Sequence, residues 1–216
     1  MEDLRVYINT LRHDFAKQTL NESEVNASPV LQFEKWFKEA INANVNEPNA
    51  MTVCTATKEG KPSARILLLR NFNENGFVYY TNYNSRKGHE IEENPNAALL
   101  FFWPELERQV RIEGPLQKQN TEESDLYFNT RPRTSKLGAW TSEQSKVIAN
   151  REVLSADYEK FSELYPTDEV PRPPHWGGYV LNPGSIEFWQ GRPSRLHDRI
   201  LYTKQANGWK IERLAP

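Results

Sequence analysis

From residue 50 onward the chain is written in short β-forming runs separated by turns. That texture, more than any single motif, restricts what it can fold into. Thr52, Val53, Thr55 and Thr57 mark a strand across Met51–Thr57, and Lys58-Glu59-Gly60-Lys61-Pro62 is a turn. Ala64–Leu69 is a second strand, Asn71–Gly76 a turn, and Phe77–Thr81 a third strand. Ala97–Trp103 and Gln109–Leu116 follow, the latter interrupted at Gly114-Pro115. Gly178–Leu181, Ile186–Trp189, Ile200–Thr203 and Trp209–Leu214 complete the set. Antiparallel strands at this spacing, with helices inserted between them, predict a closed or split β-barrel.

The helices are signalled by period and caps. Leu4, Ile8, Leu11 and Phe15 predict an amphipathic helix over Leu4–Phe15. Ser28 caps a second, with Pro29 in its first turn and Phe33, Trp36, Phe37, Ala40 and Ile41 as its apolar stripe. Ser85 caps a short helix ending near Asn94-Pro95, and Thr121–Tyr165 is helical except at Arg131-Pro132-Arg133. The expected class is mainly β with flanking helices (α+β). It forms one domain over 1–216, with N-terminal helices at about 3–43 and a barrel with helical insertions at about 50–216.

Composition narrows function by exclusion. With 38% hydrophobic and 26% charged residues the chain is ordinary and globular. The longest apolar run, residues 97–103, falls far short of the roughly 20 residues that span a bilayer, and Met1-Glu2-Asp3-Leu4 does not open a signal peptide. Cys54 is the single cysteine and makes no internal disulfide, so the expected compartment is the cytoplasm. A net charge of −2 argues against bulk nucleic-acid binding, while clustered Arg residues suggest pockets for small anions. No P-loop, G-x-G-x-x-G or G-x-S-x-G occurs, and four scattered His with one Cys give no metal site. Redox chemistry here would need an organic cofactor whose phosphate is held by side chains.

Four constellations remain, each with a plainer alternative. Strand alternation puts Arg65, Leu67 and Leu69 on one face and Ile66, Leu68 and Arg70 on the other; two strand-end charges would look the same. Tyr80-Thr81-Asn82 runs into Ser85-Arg86-Lys87, where cations in a first helical turn oppose the dipole unless an anion joins them. Tyr127, Arg131, Arg133, Ser135, Gln144 and Ser145 form either a polar surface loop or a donor set for a phosphate. Trp189 alone would be core, but Arg192, Arg195, His197 and Arg199 directly after it do not suit a plain core strand.

These blocks, with Arg108-Gln109-Val110, Gly138-Ala139-Trp140, Glu187–Gly191, Arg195–Arg199 and the Arg213–Pro216 ending, resemble the pyridoxamine 5′-phosphate oxidase family in order from about residue 4 to the C-terminus. The resemblance implies an antiparallel FMN-binding split barrel, a homodimer with FMN at the subunit interface, and phosphorylated B6 vitamers and O2 as reactants. Arg65, Arg86, Lys87, Gln144 and Ser145 would hold the FMN phosphate. Ile66, Leu67, Leu68, Leu69, Arg70, Tyr80 and Thr81 would line the cofactor site, and Gln109, Trp189 and Arg199 would come from the partner. Arg70, Tyr127, Arg131 and Ser135 would take the substrate phosphate, with Arg195 and His197 as catalytic residues over the pyridine ring. Two positions depart from the pattern: Arg70 stands where Lys is common, and Arg12-His13-Asp14-Phe15 where Arg-x-x-Tyr is frequent. The rival readings are a barrel that binds FMN or pyridoxal phosphate without turnover, and a nucleic-acid-binding barrel.

Overall fold

A computed structural model describes residues 4–11 and 15–216, so Arg12, His13 and Asp14 lie outside the described residues. Six helices are described: α1 (Leu4–Thr10), α2 (Pro29–Asn42), α3 (Arg86–Glu93), α4 (Thr121–Asn129), α5 (Arg133–Thr141) and α6 (Glu152–Leu164). The strands are β1 (Ala50–Ala56), β2 (Pro62–Leu68), β3 (Asn71–Asn73), β4 (Gly76–Asn82), β5 (Asn96–Trp103), β6 (Arg108–Lys118), β7 (Trp176–Leu181), β8 (Ser185–Gln190), β9 (Asp198–Gln205) and β10 (Gly208–Arg213). The chain divides into two compact units. One takes residues through Pro48 with Leu100–Ile112 and Ser185–Pro216; the other takes Asn49–Leu99 and Glu113–Gly184.

In the first unit the strand order is β10-β9-β8-β6-β5, with β9 antiparallel to both β8 and β10. The Ser28 hydroxyl accepts from Leu31 N at 3.3 Å, the expected cap of α2. The α2 stripe then packs as rings. Phe33 meets Phe101 at 5.1 Å and Trp36 meets Phe188 at 5.1 Å, edge-on in both cases. These four side chains are buried. Burying each is worth roughly 1.5–3 kcal/mol, so the helix is held by its apolar face more than by propensity. The expected helix over Leu4–Phe15 is shorter than its period suggested: α1 stops at Thr10.

In the second unit β1 pairs antiparallel with β2. β4 lies between β3 and β7, antiparallel to both. Three sequence expectations are corrected here. Asn71–Gly76 is not turn alone, because β3 pairs with β4 and stacks Phe72 on Phe77 at 6.1 Å. Gly76 permits this: φ is +131°, and a Cβ would sit 2.2 Å from Leu181 O. β6 runs unbroken through Gly114-Pro115, since Pro115 needs only its carbonyl there, which accepts from Asn182 N at 3.0 Å. The helical region breaks a second time, across residues 142–151. Arg133, left open between a polar surface loop and a phosphate donor set, closes the end of α6 by donating to Ser162 O at 3.0 Å and Tyr165 O at 2.7 Å.

Candidate active site

A cavity of 490 Å³ opens in the second unit where β2, the end of β4, α4, α5 and the start of β7 converge. Ile66, Leu67, Leu68 and Arg70 line one wall, and Tyr80, Thr81, Tyr127, Arg131, Ser135 and Gln144 contribute the polar groups. Leu69 does not line it; its side chain is buried in the core. Tyr80 stacks on Tyr127 at 3.9 Å and on Trp176 at 5.5 Å. Pairing of Asn82 with Trp176 in the β4–β7 ladder brings that indole in. Burial, reinforced by Glu123, Tyr127 and Tyr83, pushes the Tyr80 phenol up to about 12, so it stays a neutral donor.

Arg131 is the unusual member. Its guanidinium lies over Trp176 at 4.5 Å and over Phe128 at 5.3 Å. Its Nη1 is buried and has no hydrogen-bond partner among the described residues. Burial lowers its pKa, Tyr127 opposes that, and Arg70 adds to it. A buried donor without an acceptor is costly, and Arg131 is one of the residues that line the cavity. Arg70 is exposed and lies 5.9 Å from the Tyr127 ring, a second cation on the same cavity.

A separate cationic group surrounds the start of α3. Ser85 caps it by accepting from Gly88 N at 3.3 Å. The buried Lys87 ammonium donates to Thr81 Oγ1 at 2.9 Å, Ser85 Oγ at 3.2 Å and Gln144 Oε1 at 2.8 Å, all neutral acceptors. Burial, with help from Arg65 and against Glu90, lowers its pKa to about 8. Arg86 sits one turn before Glu90 and donates to it at 2.8 Å, which answers part of its conflict with the helix dipole. Arg65 donates to Val53 O, Thr55 Oγ1 and Ser63 Oγ and reaches Glu90 at 3.4 Å. Ser145 has φ +75° and lines an adjoining groove with Arg86, Glu90 and Gln144. The buried Lys87, whose hydrogen-bond acceptors are all neutral, lies beside two Arg and fits a phosphate monoester such as that of FMN.

Glu90 organises this group and was missed in the sequence, although its i+4 spacing from Arg86 was readable. Burial alone would raise its carboxyl; hydrogen bonds from Ser63, Thr55 and Arg86 and the charge of Arg65 override that and hold it at about 2. A depressed carboxylate stabilises the fold fully above its ordinary value of 4.5 and progressively less as pH falls toward about 2. Glu90→Gln is therefore expected to cost roughly 1.5–3 kcal/mol at neutral pH and to flatten the acid limb of stability across that window. Urea midpoints measured against pH check this; parallel acid limbs in the two proteins refute it.

The first unit holds the remaining predicted residues. Gln109, Trp189 and Arg199 line a cavity of 230 Å³ with Leu100, Arg111, Glu187 and Pro216. Buried Glu187, another residue missed, accepts from Arg111 at 2.6 Å and Arg199 at 2.7 Å. Arg199 also donates to Ala215 O at 2.8 Å, which ties down the C-terminal Arg-Leu-Ala-Pro segment. Beyond β8, Ser194 and Arg195 both take left-handed backbone conformations, with φ of 58° and 61°. Each costs about 1–3 kcal/mol, and such strain clusters at functional sites. His197 Nδ1 accepts from Arg192 N at 3.1 Å, which leaves Nε2 as the position of the proton on the neutral ring. Burial and the Arg195 charge both lower its pKa.

Among solved structures, an FMN-binding, pyridoxamine 5′-phosphate oxidase-related protein from Nostoc punctiforme PCC 73102 superimposes with a TM-score of 0.68 at 18% identity, covering 85% of this chain and 97% of that one. The fold is thus the expected antiparallel split barrel. PhzG from Burkholderia lata 383, solved with tetrahydrophenazine-1-carboxylic acid, gives a TM-score of 0.87 at 31% identity over 93% of this chain and 99% of its own. Residues 37–165 match the pyridoxamine 5′-phosphate oxidase family, and residues 176–216 match the pyridoxine 5′-phosphate oxidase C-terminal dimerisation region. A pyridoxine/pyridoxamine 5′-phosphate oxidase from Cyanothece sp. (strain PCC 7425) is 54% identical over 99% of this chain and 100% of its own. One from Nostoc punctiforme is 57% identical over 95% and 97%. The chain belongs to the pyridoxamine 5′-phosphate oxidase family of FMN-binding oxidoreductases.

Proposed function

We propose that this chain oxidises pyridoxine 5′-phosphate and pyridoxamine 5′-phosphate to pyridoxal 5′-phosphate in the cytoplasm, as a homodimer whose residues 1–216 act as one FMN-binding domain. The observation that carries the reading is the presence of two separate anion-seeking groups: Lys87 with Arg65 and Arg86, and Arg131 with Arg70. Two phosphates, one of cofactor and one of substrate, need two such groups. FMN, when bound, supplies the two-electron acceptor for the hydride at substrate C4′ and passes the electrons to O2 to give H2O2.

The chain's own residues bind and orient the reactants. Lys87, Arg65, Arg86, Gln144 and Ser145 hold the FMN phosphate. Ile66–Leu68, Tyr80 and Thr81 line the flavin, with Leu69 supporting that strand from the core, and Gln109, Trp189 and Arg199 close over it from the partner. Arg131, Arg70, Tyr127 and Ser135 clamp the substrate phosphate, which fixes the ring by its tail. Arg195 and His197 face the pyridine ring. There the neutral imidazole, its Nδ1 engaged by Arg192 N, presents its Nε2–H as a hydrogen-bond donor that orients the substrate group.

Anaerobic mixing of the flavin-loaded protein with each vitamer tests the proposal. Bleaching of the flavin, followed by peroxide release on admitting O2, is the expected result. No bleaching by either vitamer, or faster bleaching by tetrahydrophenazine-1-carboxylic acid, overturns it. His197→Ala and Arg195→Ala are expected to keep bound flavin and to slow bleaching by about 10- to 100-fold, the roughly 1.5–3 kcal/mol of a hydrogen bond that orients the reacting group. Wild-type bleaching in both variants removes them from the site.

A further inference from the structure

The turn between β5 and β6 carries a residue that no part of the proposed chemistry uses. Glu107 is 2% exposed and holds a left-handed backbone conformation, φ 56°. Its carboxylate reaches across the first unit to the segment that follows α1. One oxygen, Oε2, accepts from both Ala16 N at 2.9 Å and Lys17 N at 3.1 Å. Its main-chain carbonyl meanwhile accepts from Gly191 N at 2.8 Å and Gln190 Nε2 at 3.3 Å, at the end of β8. A single turn residue therefore joins the N-terminal segment to the strand end that leads into His197. The join is doubled by Arg192, which donates to Gln18 O at 3.0 Å, and by Asp198, which accepts from Leu20 N at 3.1 Å.

What this segment presents is Phe15. Its ring stands edge-on to Trp189 at 5.7 Å and to His197 at 5.8 Å, while Trp189 and His197 are 4.6 Å apart. Gly191 makes room for it, because a Cβ there would lie 2.7 Å from the Phe15 ring. The imidazole is thus held by three contacts: Arg192 N on Nδ1, the Trp189 indole and the Phe15 edge. Arg192 and Trp189 belong to β8 and the segment that follows it; among the described residues, the Phe15 edge is brought from a distant part of the chain by the strap from Phe15 to Gln18.

We infer that Glu107 is a positioning residue for His197: its buried carboxylate latches the Phe15–Gln18 strap, and the strap keeps the Phe15 ring against the imidazole. Charge is what makes the latch. Two main-chain N–H groups converging on one carboxylate oxygen are charge-assisted bonds, stronger than those a neutral acceptor makes. The inference rests on the role proposed for His197, but it is tested without turnover.

The test follows the His197 ring signals by NMR as a function of pH in the flavin-loaded protein, together with amide exchange at Ala16 and Lys17. Wild type, Glu107→Ala, Glu107→Gln and Phe15→Ala are compared. Among the described residues, the charged groups on the segments packed here are Arg192, Arg195 and Asp198 beside His197 in the chain, Lys17 on the strap and Glu107 on the β5–β6 turn. In the wild type, burial and Arg195 hold His197 below its ordinary 6.5. Releasing the strap, or removing its ring, hydrates the imidazole, so its midpoint moves up in Glu107→Ala and in Phe15→Ala. Loss of the Glu107 charge by itself would move it down, so the sign separates the latch from simple electrostatics. Ala16 and Lys17 amides should exchange at least about tenfold faster in Glu107→Ala, with Glu107→Gln in between because its carboxamide oxygen still accepts. Phe15→Ala keeps the latch intact and remains decisive if Glu107→Ala does not fold. An unmoved His197 midpoint in Phe15→Ala, or unchanged Ala16 and Lys17 exchange in a folded Glu107→Ala, overturns the inference. A wild type that turns over neither vitamer, with the His197 shifts as expected, overturns the proposed function and leaves the latch standing.

Discussion

Replacing Arg131 by alanine is expected to lower kcat/KM for pyridoxine 5′-phosphate by about 30- to 4,000-fold with FMN affinity unchanged. The range is the roughly 2–5 kcal/mol lost when one partner of a desolvated, hydrogen-bonded charge pair is truncated. Arg131 belongs at this end of the scale because its Nη1 is buried and unpartnered among the described residues, whereas Arg70 on the same cavity is exposed. Folding should suffer less. The stacking over Trp176 and Phe128 is worth about 1–2 kcal/mol, and removing a buried, unsatisfied donor returns part of that. Arg131→Lys keeps the charge but not the planar fork, and should fall between the two. The changes at Arg70 should be milder, with Arg70→Lys raising KM by less than about tenfold. Saturation curves at fixed oxygen and salt, with flavin titrations alongside, decide the matter. If Arg131→Ala loses FMN as readily as substrate, the two anion groups do not divide as proposed.

Lys87→Met is expected to move function and stability in opposite directions. FMN should bind about 30-fold more weakly or worse, since a buried cation facing a phosphate is removed. The flavin-free protein should be as stable as the wild type or more so, because a buried ammonium with only neutral acceptors is replaced by an apolar chain of similar length. The pH dependence follows with a definite sign. The folded-state pKa is about 8 against an ordinary 10.5, so between those values the unfolded chain binds more protons than the folded one. Wild-type flavin-free stability must rise with pH across that window, while affinity for the phosphate falls as the ammonium deprotonates. Lys87→Met should show neither slope from this group. Chemical denaturation and flavin titration from pH 8 to 10.5 measure both, and an undiminished stability slope in the variant would exclude Lys87 as its source.

Much of the candidate site was legible because its residues carry charge into places where plain folding has no use for it. Arg86 and Lys87 stood out against the helix dipole, and Arg195 and His197 against the expectation of a core strand, whereas Arg65 read equally well as a strand-end charge. The residues that escaped notice are partners rather than donors. Glu90, Glu187 and Glu107 look like surface acids in the sequence, yet all three are buried, each collecting hydrogen bonds from groups far away in the chain. Arg133 was left open between a surface loop and a phosphate donor. Its sequence setting matches that of Arg131, but its guanidinium is spent on the carbonyls that end α6.

Period and capping are local, so the amino-acid order alone determined the β-rich class, the Ser28 and Ser85 helix starts and the residue types able to meet a phosphate. It could not determine which donors are left over once folding has used the rest. Thr81, Ser85 and Gln144 come together on Lys87 only because β4, α3 and the segment after α5 meet there. Trp176 reaches Arg131 and Tyr80 only through the β4–β7 register. Binding power is assigned here to Arg131, whose buried Nη1 is unpartnered among the described residues, and to Lys87, whose hydrogen-bond acceptors are all neutral. Partnership between residues far apart in the chain is settled by tertiary packing.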